Sequence, residues 1–374
     1  MHDPRIDKLA HVLVHYATAV KSGQLVRISG SLLSEPLVIA LYQEVLQAGA
    51  HPIIRLTSDT CQELFLRHAD DLQMDFVDPL ALHEIETLDC TINIWADENT
   101  KALSGIHPDR QARVSNARKP ILETFLQRSA NQELRWVGTQ FPTQASAQDA
   151  EMSLHDYEHF VFTAGLLHLD DPAAAWREIH EKQQKVCDFL NEAHEIRFTT
   201  PQGTDLKLGI EGRRWINCSG HENFPDGEVF TGPVETATEG VVHYSFPAVH
   251  GGREVSEIRL EFREGKVVNA SAEKGEPFLL KMIDQDAGAS CLGEIAIGTN
   301  YSITQYTKNT LFDEKIGGTF HAALGAAYPE SGGENQSALH WDMVCDLRKG
   351  GMIEVDGRVI SENGVFVDGS WPQP

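Results

Sequence analysis

Gln24-Leu-Val-Arg-Ile-Ser29 opens the stretch that decides the fold of the first half of the chain. This apolar run is typical of a buried strand, and residues 36–48 after it carry the apolar spacing of a helix. Gly49 would end that helix, and His51-Pro-Ile-Ile-Arg-Leu56 and Asp89-Cys-Thr-Ile-Asn-Ile-Trp95 follow as strands. Strands that alternate with helices favour a parallel sheet covered by helices. The sequence therefore predicts an α/β N-terminal domain, residues 1–192.

The second half of the chain has a different pattern, with one long helix and then paired strands. A helix is predicted over residues 172–191, because acids and a proline stand where a helix begins in Asp170-Asp171-Pro172. After it, strand-like segments flank Pro201-Gln-Gly203, Arg263-Glu-Gly265 and the favoured two-residue turn Asp356-Gly357. We expect an α+β C-terminal domain, residues 193–374, that is rich in antiparallel strands.

Composition and charge exclude several classes of protein. The 374 residues carry a formal net charge of -24, which would repel the phosphate backbone of a nucleic acid. The first residues have no signal-peptide pattern and no stretch is apolar enough to span a bilayer, so we expect a cytoplasmic protein without membrane contact. The six cysteines include no Cys-x-x-Cys and are expected to be reduced. Gly30-Ser31 follows a strand, but no Gly-x-Gly-x-x-Gly or Walker sequence supports nucleotide binding.

Three carboxylates, two histidines and a tyrosine of the second half form the candidate site. The chain has 17 histidines, and only two of them follow His250. Imidazole together with carboxylate suits zinc, cobalt or manganese, and two such ions that share a hydroxide hydrolyse amide bonds. The leading hypothesis is therefore metal-dependent hydrolysis at a pair of ions near Glu228, Glu294, His321, Tyr328, His340 and Asp342.

Local patterns predict how some of these side chains meet. Gly317-Gly318-Thr319 followed by an alanine-rich run predicts a loop that leads into a short helix, on which His321 and Tyr328 would stack two turns apart with Gly325 between them. The alternating segment 339–344 predicts a strand with His340 and Asp342 on one face.

Glu294 lies in Leu292-Gly-Glu-Ile-Ala-Ile297, which predicts a buried strand. An unpaired buried acid is costly, so this carboxylate needs a metal, a cation or a proton.

Each of these residues also has a simpler interpretation. A histidine at a helix start is more often a cap or a surface residue, and His-x-Asp in a strand is more often a hydrogen-bonded pair. Glu228 follows the strong turn sequence Pro225-Asp-Gly227, and Tyr328 precedes a proline, where helices tend to end. The functional hypothesis therefore depends on the joint occurrence of these residues.

The same segments resemble the thermophilic aminopeptidase family of metallopeptidases, the group of aminopeptidase T, aminopeptidase S and PepS. They occur in order and span much of the second half of the chain. The similar segments are Asn223-Phe-Pro-Asp-Gly-Glu-Val-Phe-Thr-Gly-Pro-Val-Glu235, Leu292-Gly-Glu-Ile-Ala-Ile-Gly-Thr-Asn300, Asn309-Thr-Leu-Phe-Asp-Glu-Lys-Ile-Gly-Gly-Thr-Phe-His321, Ala323-Leu-Gly-Ala-Ala-Tyr328 and Ser337-Ala-Leu-His-Trp-Asp-Met343.

The resemblance implies a metal-dependent aminopeptidase that releases N-terminal residues from short peptides. Its implied metal ligands are Glu228, Glu294, His321, His340 and Asp342, which would hold two divalent ions of zinc, cobalt or manganese. It also implies a homodimer. The spacing from Tyr328 to His340 is short for the family, so the rim of the pocket is expected to differ.

The sequence leaves alternatives open for the catalytic role of several residues. Glu294 is the expected bridge between the ions because its strand is buried. Tyr328 is expected to donate to the oxyanion or to ligate an ion, and Glu228, Glu314 and Glu330 are candidates for the general base.

Two other classes of function remain as alternatives. A ring-opening dioxygenase of the related dihydroxypyridine type would need one iron with two histidines and one carboxylate, which is only part of this set. A non-catalytic binding protein on the same scaffold would be expected to lack a ligand, and none is missing. No Gly-x-Ser-x-Gly and no His-Glu-x-x-His sequence offers another hydrolytic centre.

Overall fold

The structure is a computed structural model that describes residues 3–374. Its contacts divide the chain into two compact units. The first extends to Ala173 and includes Gly220–Phe224, and the second comprises Ala174–Ser219 and Pro225–Pro374. By this division most of the helix that ends at Asn191 belongs to the second unit, whereas the domain boundary predicted from the sequence follows that helix, after residue 192.

The helices are numbered in chain order. A π-helix, Leu13–Ala17, follows α1, and 3-10 turns occupy Leu32–Ser34 and Pro329–Ser331. The α-helices are α1 Pro4–Val12, α2 Glu35–Gln47, α3 Asp59–His68, α4 Asp71–Met74, α5 Pro79–Thr87, α6 Pro108–Ala117, α7 Lys119–Ala130, α8 Gln144–Asp149, α9 Leu154–Ala164, α10 Pro172–Asn191, α11 Glu276–Ile283 and α12 Thr310–Asp313. Within residues 3–374, none of the helices combines the length and apolar character that crossing a membrane requires.

The strands are numbered in the same way. They are β1 Leu25–Ser31, β2 His51–Thr57, β3 Cys90–Trp95, β4 Arg135–Gln140, β5 Glu195–Thr199, β6 Asp205–Gly209, β7 Ile216–Cys218, β8 Asn223–Phe224, β9 Glu228–Thr231, β10 Thr238–His243, β11 Ala248–His250, β12 Arg253–Val255, β13 Arg259–Arg263, β14 Lys266–Ser271, β15 Leu292–Gly298, β16 Thr319–Gly325, β17 His340–Asp346, β18 Met352–Val355, β19 Arg358–Glu362 and β20 Val365–Phe366.

The first unit contains a five-stranded parallel sheet in the order β2-β1-β3-β4-β8. Burial alternates along β1, and α2 buries Leu37, Val38, Leu41 and Val45, which lie on one helical face. Gly49 adopts a positive φ of 74° just after α2, as expected for a residue that ends a helix. The predicted α/β fold with a parallel sheet is confirmed.

The second unit is built mainly from antiparallel strands. One sheet has eight strands in the order β14-β13-β10-β6-β5-β18-β19-β20, and another has five in the order β17-β16-β15-β9-β7. The predicted hairpins form as β5–β6, β13–β14 and β18–β19. Asp356 and Gly357 both have positive φ, which matches the strand twist across a two-residue turn. The predicted α+β class with antiparallel strands is therefore confirmed.

The prediction of a loop and short helix after Gly317 is wrong, because residues 319–325 form strand β16. Phe320, Ala322 and Leu324 are buried on one face of the strand, and His321 lies on the opposite face. The side chains therefore repeat every two residues, as in a strand, and not every 3.6 residues, as in a helix. β16 also pairs on both sides, with β15 and β17. These ladders override the helix propensity of the alanines. His321 and Tyr328 are consequently not stacked on a helix, and Gly325 is a strand end with a φ of 103°.

Gln183 of helix α10 forms hydrogen bonds with the five-stranded sheet of the second unit, and its side chain is fully buried. Its amide nitrogen lies 2.9 Å from Asn217 Oδ1, 2.8 Å from the Cys218 carbonyl oxygen and 2.9 Å from the Glu228 carbonyl oxygen. Its amide oxygen accepts from Thr299 Oγ1 at 2.9 Å. One side chain therefore fixes the start of β9, where Glu228 lies.

Replacing Gln183 with leucine should lower the free energy of unfolding by about 3 kcal/mol, because several buried polar groups lose their partner. Urea unfolding followed by circular dichroism measures this change. The exposed neighbour Lys185 provides the control, and Lys185→Ala should unfold at the wild-type urea concentration. Equal midpoints for Gln183→Leu and the wild type would show that Gln183 is not an anchor.

Candidate metal centre

One face of the five-stranded antiparallel sheet, β17-β16-β15-β9-β7, carries all of the predicted ligands. The opposite face of the same strands belongs to the hydrophobic core, through residues such as Ile295, Phe320 and Met343. Since strand residues alternate between faces, the polar side chains collect on the other side. The strands that supply them are β9 for Glu228, β15 for Glu294, β16 for His321, and β17 for His340 and Asp342.

A glycine or alanine of a neighbouring strand lies opposite each of these five side chains. Glu228 pairs with Gly298, and His321 pairs with Ala296. The remaining pairs share this pattern and are Glu294 with Ala323, Asp342 with Ala323, and His340 with Gly325. Directly opposed strand residues lie close together, so small neighbours leave space above the sheet between the polar groups.

Glu294 lies at the centre of the cluster and faces a histidine with each oxygen. Its Oε1 is 3.2 Å from His321 Nε2, and its Oε2 is 3.5 Å from His340 Nε2. Glu228 Oε2 is 3.5 Å from His321 Nε2, and Asp342 Oδ1 is 3.5 Å from His340 Nε2. The ligand atoms thus form two groups, Glu228–Glu294–His321 and Glu294–His340–Asp342, that share Glu294.

Backbone carbonyls orient both imidazoles. His321 Nδ1 lies 3.2 Å from the Glu314 carbonyl oxygen, and His340 Nδ1 lies 2.9 Å from the Ala326 carbonyl oxygen. A carbonyl can only accept, so each Nδ1 is the protonated nitrogen in these bonds. The Nε2 atoms are then the nitrogens that are available to a metal ion, and both point toward Glu294.

Lys315 is a residue of this site that the sequence reasoning missed. Its Nζ lies 3.0 Å from Glu228 Oε1 and 2.6 Å from Glu314 Oε2, and its side chain is 3% exposed. Its position between Glu314 and Ile316, in a segment that resembles the family, could have indicated a residue of the site. A lysine next to a glutamate in sequence is, however, usually part of a solvated surface pair. Here the lysine is a buried counter-charge for two acids.

Glu314 joins the cluster from its other side. It forms a third possible ligand group with His321 and Asp342, one residue from each of the other two groups. Glu330, another candidate base, is exposed on the 3-10 turn Pro329–Ser331 and belongs to none of the ligand groups within residues 3–374.

Tyr328 lies beside the cluster although the helix predicted for it does not form. Its ring contacts His340 edge-on, with centroids 5.3 Å apart, and Phe230 at 5.4 Å. The ring is 43% exposed, so it forms part of the accessible rim.

Burial and nearby charges have opposite effects on the pKa values of the side chains in this cluster. Burial raises the pKa of Glu294, and the His321 imidazole only partly offsets this effect. Burial disfavours the charged form of His321, but its hydrogen bond with Glu294 and the nearby carboxylates raise its pKa to about 10. The same opposition raises the pKa of His340 to about 9. Both imidazoles thus have a strong preference for a cation at Nε2, which in the absence of metal is a proton.

The residues present fit divalent metal ions. Among residues 3–374, the buried Glu228 Oε2 has no hydrogen-bond partner, which is costly unless a cation lies next to it. Two imidazoles and several carboxylates are a donor set suited to zinc, cobalt or manganese. The fold and this site together define a metal-dependent enzyme.

Comparison with known proteins identifies the family. The model of the family described as thermophilic metalloprotease (M29) matches residues 2–371. The chain is 27% identical to Aminopeptidase 2 of Geobacillus stearothermophilus over 99% of this chain and 98% of that protein. It is 32% identical to Aminopeptidase T of Thermus aquaticus over 71% of this chain and 72% of that one. The chain belongs to the thermophilic metalloprotease (M29) family, and it is a metalloaminopeptidase and therefore a hydrolase.

Two solved structures have similar folds. Wild-type AmpT from Thermus thermophilus matches with a TM-score of 0.86 and 25% identity, over 98% of this chain and 99% of that one. The 2,5-dihydroxypyridine dioxygenase from Pseudomonas putida KT2440 matches with a TM-score of 0.60 and 13% identity, over 98% of both chains. The second likeness concerns the fold alone.

Ala323 allows a direct test of the space above the sheet. Ala323→Leu should lower kcat/KM by about 100-fold or more, because the added carbons enter the gap between Glu294 and Asp342 and displace them. Aminopeptidase assays and metal analysis measure the effect, with circular dichroism to verify the fold. Ala323→Ser, which adds a single atom, is the control. Normal activity and metal content in Ala323→Leu would contradict the role of the small residues.

Lys315→Met should lower kcat/KM by about 10- to 100-fold, the usual effect of losing a partner that orients a metal ligand. Methionine keeps the length of the side chain but cannot donate to Glu228 or neutralise Glu314. Steady-state kinetics on metal-saturated protein measures the change.

The surface pair between Lys207 and Glu195 provides a matched control for the lysine change, and Lys207→Met should leave the kinetics unaltered. Wild-type kcat/KM in Lys315→Met would mean that the lysine does not serve the reaction.

Proposed function

We propose that this metalloaminopeptidase releases N-terminal residues from short peptides by means of two divalent ions that share Glu294. The observation that carries the proposal is the division of the two Glu294 oxygens between two ligand groups. The dihydroxypyridine-type alternative needs only one metal and three of these residues, so it leaves the second group without a role.

Each ion has a ligand set in this proposal. Glu228 and His321 would hold one ion, His340 and Asp342 would hold the other, and Glu294 would serve both. The donor types suit zinc, cobalt or manganese. When bound, such ions polarise the scissile carbonyl and lower the pKa of a shared water so that hydroxide is present near neutral pH.

The protein groups around the ions would move the protons. Glu314 is the favoured general base, since it is largely buried beside Asp342 and its carboxylate is held by Lys315. Burial raises the pKa of Glu314 well above its ordinary value, although the charge of Lys315 lowers it. A carboxyl group that accepts a proton readily suits transfer from the attacking water to the leaving amine. Glu228 is the alternative base.

Tyr328 is positioned to act on the substrate rather than on the ligands. Its ring borders His340 and is partly exposed, so its hydroxyl can donate a hydrogen bond to the tetrahedral oxyanion.

The acidic cluster would also select the free N-terminus of a peptide. The overlapping ligand groups contain four carboxylates, and Lys315 pairs with only two of them, Glu228 and Glu314, so a positively charged α-amine would be attracted to this region. We further propose that the enzyme is a homodimer, as the sequence resemblance implies, and that it acts in the cytoplasm.

Removal and replacement of metal tests the proposal. Chelation should abolish hydrolysis of leucyl-p-nitroanilide, and zinc, cobalt or manganese should restore it at about two ions per chain. An N-acetylated substrate should resist cleavage because its α-amine is blocked. One iron per chain with no peptide cleavage would instead support the dioxygenase alternative.

Glu294→Gln tests the shared ligand, because it keeps the shape of the side chain and removes the charge. It should lower kcat/KM by more than about 100-fold, since a direct ligand matters more than its outer partners. Glu261→Gln on β13 is the control and should retain activity and metal. Full activity in Glu294→Gln would contradict the proposal.

A further inference from the structure

A second group of possible metal ligands lies in the first unit, on two packed helices. His15 Nε2 is 2.9 Å from Glu44 Oε2, and His11 Nδ1 is 3.4 Å from the same oxygen. The two imidazole rings are 4.5 Å apart between centroids. Within residues 3–374, these two histidines are the ion-pair partners of Glu44. Three ligand atoms therefore converge on one point.

The backbone fixes this arrangement. His11 lies near the end of α1 and His15 lies in the π-helix Leu13–Ala17, where Thr18 N donates to the Leu13 carbonyl oxygen at 3.1 Å. A π-turn widens the helix and changes the direction of the side chains that follow, and such turns are frequent at functional sites. The buried faces of α1 and α2 then hold Glu44 opposite the histidines.

The donor atoms indicate the kind of ion. Two imidazole nitrogens and one carboxylate suit zinc, copper, nickel or cobalt, whereas magnesium and calcium prefer oxygen ligands alone. Glu44 also lines a cleft of about 350 Å³, together with Asp7, Ile39, Ala40 and Gln43. The formal charge of -24 favours the approach of cations.

We propose that His11, His15 and Glu44 form an additional site for a divalent transition-metal ion, separate in its residues from the aminopeptidase centre. The bound ion replaces the hydrogen bond between Glu44 and His15 and the ion-pair contact between Glu44 and His11, and it links α1 to α2. Half-exposed His11 completes the set when the ion arrives, while His15 and Glu44 are already held together.

Metal titration of the holoenzyme tests this site. The enzyme is dialysed against rising free zinc, and the zinc bound per chain is counted by elemental analysis. Wild type should bind one ion per chain more than His15→Ala and one more than Glu44→Gln, with aminopeptidase activity equal in all three. Copper added to the holoenzyme should give an electron paramagnetic resonance spectrum with coupling to two nitrogens, which His15→Ala loses.

The chain offers a matched control in α9. His155 and His159 are also four residues apart, with ring centroids at 4.5 Å, but belong to none of the three-ligand groups within residues 3–374. His155→Ala should therefore keep the wild-type stoichiometry. Circular dichroism on Glu44→Gln separates loss of the site from loss of the fold.

The outcome is independent of the proposal for the catalytic centre. His321→Ala should lose metal from that centre and keep the ion that depends on His15. Equal zinc stoichiometry in wild type, His15→Ala and Glu44→Gln would overturn the additional site and leave Glu44 as an ion-pair partner of two histidines.

Discussion

The pairing of small residues with polar ones across four neighbouring strands is the constraint on which the catalytic centre depends. Every ligand candidate on this sheet faces a glycine or alanine on the adjacent strand, while the reverse face carries the large apolar side chains of the core. The side-chain period of a strand is two, so a register slip of one residue would exchange these faces. The hydrophobic core therefore holds the register that brings Glu228, Glu294, His321, His340 and Asp342 together.

Burial of so many acids makes cations part of the structure. Carboxylates removed from water are costly unless they are paired, and here Lys315 serves Glu228 and Glu314 while the imidazoles serve Glu294 and Asp342. Glu228 Oε2 has no hydrogen-bond partner in the part of the chain that the structure describes. The pKa values of His321 and His340 are raised to about 10 and about 9. These features support the binding of divalent ions, because the charge of the acids exceeds that of the protein cations beside them.

Much of the fold could be predicted from local patterns. The βαβ rhythm from Gln24 to Trp95 and the turn at Asp356-Gly357 depend on short-range chemistry, and both form as expected. Strand β16 could not be predicted in this way, because its alanines favour a helix locally and only pairing on both sides makes it a strand. Lys315 was missed for a related reason, since its burial between Glu228 and Glu314 depends on contacts with residues distant in sequence. The candidate ligands were predicted from the joint occurrence of acids and histidines and from the family resemblance, and of these residues only Glu294, His340 and Asp342 lie in strands that the local pattern predicted.

Anomalous X-ray diffraction from crystals of the zinc-loaded enzyme tests the central claim most directly. At the catalytic centre, the account predicts two zinc peaks that are separated by the Glu294 carboxylate, one beside Glu228 and His321 and the other beside His340 and Asp342. A single peak at this centre, or two peaks there of which only one contacts Glu294, would contradict a shared ligand and with it the two-ion centre.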